Sequence, residues 1–352
     1  MPIAIYIVYR FKKELAMSLP LFFRRSLLAI TLGASIASPV MAQEREMLNS
    51  SYDIGRELFS AINPEFIAWW QEQNDEQISV NQSHGGSSAQ ARAILQGLRA
   101  DVVTFNQVTD VQVLADAGLA NEDWQSALDN NASPYYSTTA FLVRKDNPKG
   151  IENWDDLVKE DVQVVFPNPK TSGNARYTYL AAWGFADKEF DGDEEQIQDF
   201  MRTFLGNVAV FDTGGRGATT SFIERGIGDV LISFESEVNN IRQEYGSDDY
   251  EVVVPPMSVL AEFPVAVVTE NAERNGNTDL AQGYLEYLYT EDAQRLLANF
   301  NYRVHNETVV EEFSDHFPET ELFSVEDVFG SWDEVMETHF EGGALLDQLQ
   351  RR

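Results

Sequence analysis

One unit occurs twice in this chain and limits what it can fold into. GGSSAQARAILQGLRADVV begins at Gly85, and GGRGATTSFIERGIGDVL begins at Gly214. In both, a strand-like run leads into a glycine pair and a helix-compatible stretch follows. Another glycine stands eleven residues after the second of the pair, at Gly97 and Gly226, and Asp-Val opens the next apolar run at Asp101 and Asp229. Strand, glycine turn, helix, glycine stop, strand is a βαβ unit, and such units build α/β folds with mainly parallel sheets. The surroundings agree. ISVNQ (78–82), DVVTF (101–105), FLV (141–143), VQVVF (162–166), VAVF (208–211), DVLISF (229–234) and PVAVV (264–268) read as short buried strands. Between them, Ile197, Phe200, Met201, Phe204 and Leu205 recur on one helical face. Two similar α/β lobes are the expected architecture.

The N-terminus reads as an export signal. Arg24 and Arg25 precede the apolar run SLLAITLGASIA, and small residues follow in SPVMAQ, so cleavage is expected after Ala42, with Met17 as an alternative start. The run is short for a membrane span. The chain has no cysteine, hence no disulfide, no thiolate metal site and no lipidated cysteine after the signal. A free periplasmic protein is expected. A formal net charge of −32 excludes binding to nucleic acid or an anionic membrane through the general field.

The chemistry is expected at the turns. In SHGGSSAQ (83–90), Gly85 and Gly86 let the backbone turn sharply and approach a ligand, and Ser87 with Gln90 has capping-box spacing. Ser172-Gly173-Asn174 and Thr213-Gly214-Gly215-Arg216 offer similar elements after other strands. Helix N-termini carry unpaired N–H groups and attract anions, and strand-to-helix turns lie where α/β proteins bind ligands. Three such turns on facing lobes could enclose one small anion. Competing chemistries lack their residues. No Gly-Lys-Ser/Thr follows a glycine loop, G-x-S-x-G is missing, and the four histidines have no metal-ligand spacing. A serine hydrolase using Ser87 and His84 is the alternative from another class, with no third orienting group evident.

Longer motifs carry a resemblance. SYDIGREL (51–58), NQSHGGSSAQAR, FPNPKTSGNAR, YLAAWGFA, GGRGATT, ERGIGDVLIS, LEYLY, VFGSW and the HF-GG element at 339–343 stand in order over nearly the whole chain. With them the chain resembles the periplasmic sulfate-binding proteins, the sulfate/thiosulfate receptors of ABC importers. The resemblance implies a two-lobed periplasmic-binding-protein fold of the second topological type, with a hinge between lobes. It implies a monomeric receptor without a cofactor, which is no enzyme and delivers its anion to an inner-membrane ABC permease. Lobe I would take residues 43–135 and 256–352, and lobe II residues 136–255. Ser87, Ser172, Gly173, Asn174 and Gly215 would donate to the anion, while Asp53, His84 and Arg216 would steady the donors from behind.

Three departures bear on the ligand. Phe234 stands where the family usually supplies an indole N–H, and a phenyl ring has no donor. FNQVTD (105–110) replaces an apolar, tyrosine-containing segment, and Asn174 replaces the second glycine of a Gly-Gly turn. Sulfate and thiosulfate both stay open, as does another oxyanion such as molybdate. Phosphate fits worst, because it needs a buried acceptor and Asp212 is the nearest carboxylate. Asn106, Gln107 or a water could supply the missing donor.

Overall fold

The computed structural model describes residues 44–350; the export signal and its cut after Ala42 lie outside them. Two sheets organise these residues. The first contains β1 (Arg45–Tyr52), β2 (Ile78–Gly85), β3 (Val102–Thr104) and β12 (Val265–Val267), in the order β12-β3-β1-β2. β1 runs parallel to both β2 and β3, and β12 closes one edge antiparallel to β3. The second contains β5 (Thr139–Arg144), β6 (Val164–Pro167), β7 (Val208–Asp212), β8 (Val230–Phe234) and β9 (Tyr250–Val253), in the order β7-β6-β8-β5-β9. β6 is parallel to β7 and β8, whereas β5 is antiparallel to β8 and β9. Both sheets therefore have a parallel centre and an antiparallel flank.

The repeated unit folds as its glycines require. β2 leads through the helix Ser87–Leu95 to β3, and β7 leads through the helix Gly215–Ile223 to β8. The stop glycines Gly97 (φ +108°) and Gly226 (φ +67°) have positive φ, which disfavours any residue with a Cβ. In the helix Glu194–Gly206, Asp193 caps the N-terminus by accepting from the Gln196 N–H at 3.1 Å, and the five apolar residues of the expected face are all buried.

All seven expected strands form. β1 was not anticipated, because its apolar pattern is hidden. Asn49, Ser50 and Ser51 occupy a central strand and are fully buried. Neighbouring elements satisfy two of them: Thr104 Oγ1 donates to Asn49 Oδ1 (3.1 Å), and Ser50 Oγ donates to Gln90 Oε1 (3.1 Å).

Between the sheets the chain passes through a small antiparallel sheet of β4 (Tyr135–Ser137), β11 (Ala261–Glu262) and β13 (Arg303–Val304), with β4 in the middle. At the crossing, the Glu235 N–H donates to Thr138 O (2.7 Å), and Thr138 Oγ1 donates to Val259 O (2.9 Å). The fully buried Glu235 carboxylate takes both Arg303 Nε (2.6 Å) and Nη2 (3.0 Å). Glu235 is a buried ion-pair partner, and removing its arginine would leave an uncompensated charge costing about 3–5 kcal/mol.

The helix Gly173–Glu189 is buried on almost every side. One side takes the C-terminal segment: a Cβ on Gly184 would stand 2.3 Å from Phe323 Cζ, so glycine lets β14 (Glu321–Phe323) lie against this helix. β14 pairs in parallel with β10 (Met257–Val259). Among the described residues no helix is long and apolar enough to cross a membrane.

Candidate functional site

The three turns follow the carboxyl ends of β2, β6 and β7, and the structure brings them together with two further segments. β6 and β7 are neighbours, so the second and third turns adjoin: Thr171 Oγ1 donates to Thr213 O at 3.0 Å. β1 and β2 pair through Tyr52 and Gly85, which sets Asp53 beside the first turn. Contacts cross from one sheet's turns to the other's. Gly173 is so close to the end of β3 that a Cβ there would meet Asn106 Oδ1, Gln107 Cβ and Gln107 Oε1, each at 3.1 Å. A Cβ on Gly214 would stand 3.7 Å from Asp53 Oδ2, and one on Gly215 would stand 3.7 Å from Ile54 Cγ2.

At the second turn Ser172 is the N-cap, half-buried and extended (φ −132°, ψ 126°), and its hydroxyl makes no capping bond. The first ladder bond runs from the Arg176 N–H to Ser172 O (3.2 Å). The N–H groups of Gly173 and Asn174 precede it and remain available, with the positive end of a 17-residue helix behind them. Asn174 Nδ2 donates to Ser233 Oγ at 2.8 Å, while its Oδ1 is buried without a partner. At the third turn the ladder opens with the Ala218 N–H on Gly214 O (3.2 Å), leaving the Gly215 and Arg216 N–H groups free of it.

The first turn differs from expectation. Gly86, not Ser87, is the N-cap, since the Ala89 and Gln90 N–H groups donate to Gly86 O at 2.8 and 3.0 Å. Ser87 is the first helical residue and is buried. Its Oγ donates to Asn106 Oδ1 (2.7 Å) and accepts from the Asn106 N–H (3.1 Å), while Gln90 Oε1 accepts from Ser50 and Ser83. No capping box forms, because β1, β2 and β3 offer both side chains better-placed partners. The hydrolase reading loses its pair as well. His84 Nδ1–H donates to Tyr52 O (3.2 Å), so neither Ser87 nor His84 is engaged with the other.

Phe234 is fully buried at the end of β8, with its ring packed on Phe263 (centroids 5.1 Å apart) and on Tyr177 (6.0 Å), one turn into the helix that begins at Gly173. Asn106 and Gln107, which lie against Gly173, were noted in the sequence only as stand-in donors. The signal for them was their departure from the family's apolar segment.

The charges stand behind the turns. Arg216 Nη2 donates to Asp53 O (3.2 Å) and to both carboxylate oxygens of Glu57 (3.3 Å), tying the third turn to the segment after β1. Burial pulls the His84 imidazole below its usual range, opposed by its bond to Tyr52 O and aided by the Arg56 and Arg216 charges. A cleft of about 450 Å³ beside this tie is lined by Glu57, Arg216, Glu237 and Tyr302 among others. Burial pushes the Glu237 carboxyl up to about 8, with Asp53 and Glu57 adding to the effect and Arg216 opposing it. Among the described residues no group of three or more His, Asp or Glu side chains could hold a metal ion. The turns thus present neutral dipoles and unpaired N–H groups, which suit a small anion.

Residues 55–303 match the profile of the bacterial extracellular solute-binding proteins. The thiosulfate-binding protein of Escherichia coli K12 is 59% identical over 323 residues, spanning 91% of this chain and 96% of that protein. The sulfate-binding protein of the same organism is 43% identical over 316 residues, spanning 90% and 96%. Among solved structures, the sulfate-binding protein of Mycobacterium tuberculosis H37Rv superposes with a TM-score of 0.76 at 30% identity, covering 85% of this chain and 100% of that one. The mixed α/β architecture is that of periplasmic binding proteins, and the chain belongs to the bacterial extracellular solute-binding proteins.

Proposed function

We propose that this protein is a periplasmic receptor for sulfate or thiosulfate that delivers its anion to an inner-membrane ABC permease. The observation that carries the reading is the convergence of three glycine turns whose donors are uncharged. In this reading Ser172, Gly173, Asn174 and Gly215 donate to the anion, Ser87 completes the first turn, and Phe234 supplies an apolar wall. Asp53, His84 and Arg216 hold the peptide groups behind them. Neutral donors fixed before binding suit a fully ionised anion, because they solvate it without a counter-charge. The 59% identity to a thiosulfate-binding protein and the missing donor at Phe234 both favour thiosulfate.

The lobes in this proposal are residues 43–135 with 256–352, and residues 136–255. They hinge near Thr138 and Val259, and the tail from Glu321 crosses back onto the second lobe's helices. Export removes residues 1–42, which the intact mass of the periplasmic protein measures directly. The receptor acts as a monomer. Calorimetric titration of the mature protein with thiosulfate, sulfate, molybdate and phosphate is the decisive experiment. One saturable site for thiosulfate or sulfate, with none for phosphate, is expected. Absence of both sulfur oxyanions from the binding profile would overturn the reading.

A further inference from the structure

The end of β3 carries a buried carboxamide with neither end satisfied. Gln107 is fully buried, and both its Nε2 and its Oε1 lack a hydrogen-bond partner. An unsatisfied buried polar group is destabilising, so Gln107 is a poor choice for packing alone. Its position is specific. Gln107 Oε1 and Cβ both lie 3.1 Å from the point a Gly173 Cβ would occupy, so the amide abuts the first residue of the helix Gly173–Glu189. That helix start holds the unpaired N–H groups of the second turn. The next residue, Asn174, carries a second buried oxygen without a partner. The preceding residue, Asn106, is already fixed, because its backbone N–H and its Oδ1 are both bonded to Ser87 Oγ. The backbone at 106–107 is therefore held while the Gln107 amide remains unspent.

We infer that the Gln107 side chain is a direct ligand of the bound anion, donating through Nε2 into the space at the helix start, with Ser87 acting as a positioning residue through Asn106. This rests on the anion-receptor reading and assigns a contact that reading did not contain. A carboxamide suits the place physically. It brings two donors and no net charge, and rotation of its terminal torsion can present N–H groups to the anion.

The test compares wild type, Gln107→Met and Gln107→Glu by calorimetric titration with sodium thiosulfate and sodium sulfate, with the ligand-free melting temperature of each. Methionine keeps length and volume but removes the donors. Gln107→Met is expected to melt at or above the wild-type temperature and to bind the preferred anion about 10- to 150-fold more weakly, the span of one hydrogen bond to a charged group. Gln107→Glu puts a carboxylate at the helix start, where it competes with the ligand for the same N–H groups. It is expected to abolish binding of both anions. Wild-type affinity in Gln107→Met, or retained binding in Gln107→Glu, would overturn the assignment while leaving the receptor reading intact. If wild type binds neither anion, the receptor reading fails and the assignment falls with it.

Discussion

The turns at 84–87 and 172–174 look alike in sequence, each a hydroxyl residue beside glycine at a helix start, yet they fold into different situations. Ser87 is buried and its hydroxyl already serves Asn106 as both donor and acceptor. Ser172 is half-buried, extended, and makes no capping bond. One hydroxyl is spent on Asn106, and the other makes no capping bond. A serine at a helix start is therefore a structural brace or a binding donor according to what the neighbouring strand end offers it. At the first turn Asn106, two residues beyond β3, captures the hydroxyl. At the second turn the facing residue is Gln107, beside Gly173, and it makes no bond to Ser172.

The largest expected effect tests that contrast directly. Ser172→Ala removes a donor to a charged group and is expected to weaken anion binding by about 10- to 150-fold with little change in melting temperature. Ser87→Ala is expected to do the reverse. It strands Asn106 and destabilises the fold by about 1–3 kcal/mol, with a smaller loss of affinity. Calorimetry and thermal melts on both variants decide the matter, and equal affinity losses would erase the distinction.

A second variant sharpens the contrast at the second turn. Phe234→Trp restores the indole usual in the family, but Phe234 is enclosed by Tyr177 and Phe263 with no surface exposed. Overpacking is expected to dominate at about 1–3 kcal/mol, lowering the melting temperature without improving sulfate binding. Tighter sulfate binding in this variant would mean that the pocket had kept room for the donor it lacks.

A further test extends the comparison to the third turn, which is reached through charges. Glu237 holds its proton in the folded protein up to about pH 8, against an ordinary value of 4.5. Between those values the folded state binds more protons than the unfolded chain, so this group's contribution to stability falls as pH rises from about 4.5 to 8. Glu237→Gln removes the dependence. It is expected to melt higher than wild type at pH 8 and at the same temperature at pH 4. A constant difference across that range would place the cause elsewhere than in this proton.

The parallel centre of each sheet, both stop glycines and the helix Glu194–Gly206 were legible because local rules write them into the sequence: glycine where φ must be positive, and apolar residues at helical spacing. The three turns were legible for the same reason. β1 was not, because Asn49, Ser50 and Ser51 look like loop residues until Thr104 and Gln90 arrive from distant segments to bond two of them.

By itself, then, the sequence determined the seven strands read from it, their order and the residue types placed at the turns, since each depends on residues a few positions apart. The tertiary structure alone decided which hydroxyl stays free, that Glu235 pairs with Arg303 and that Gln107 is buried without a partner. These depend on distances between residues far apart in the chain, and a hydrogen bond is made or lost within a few tenths of an ångström. No local pattern carries that information.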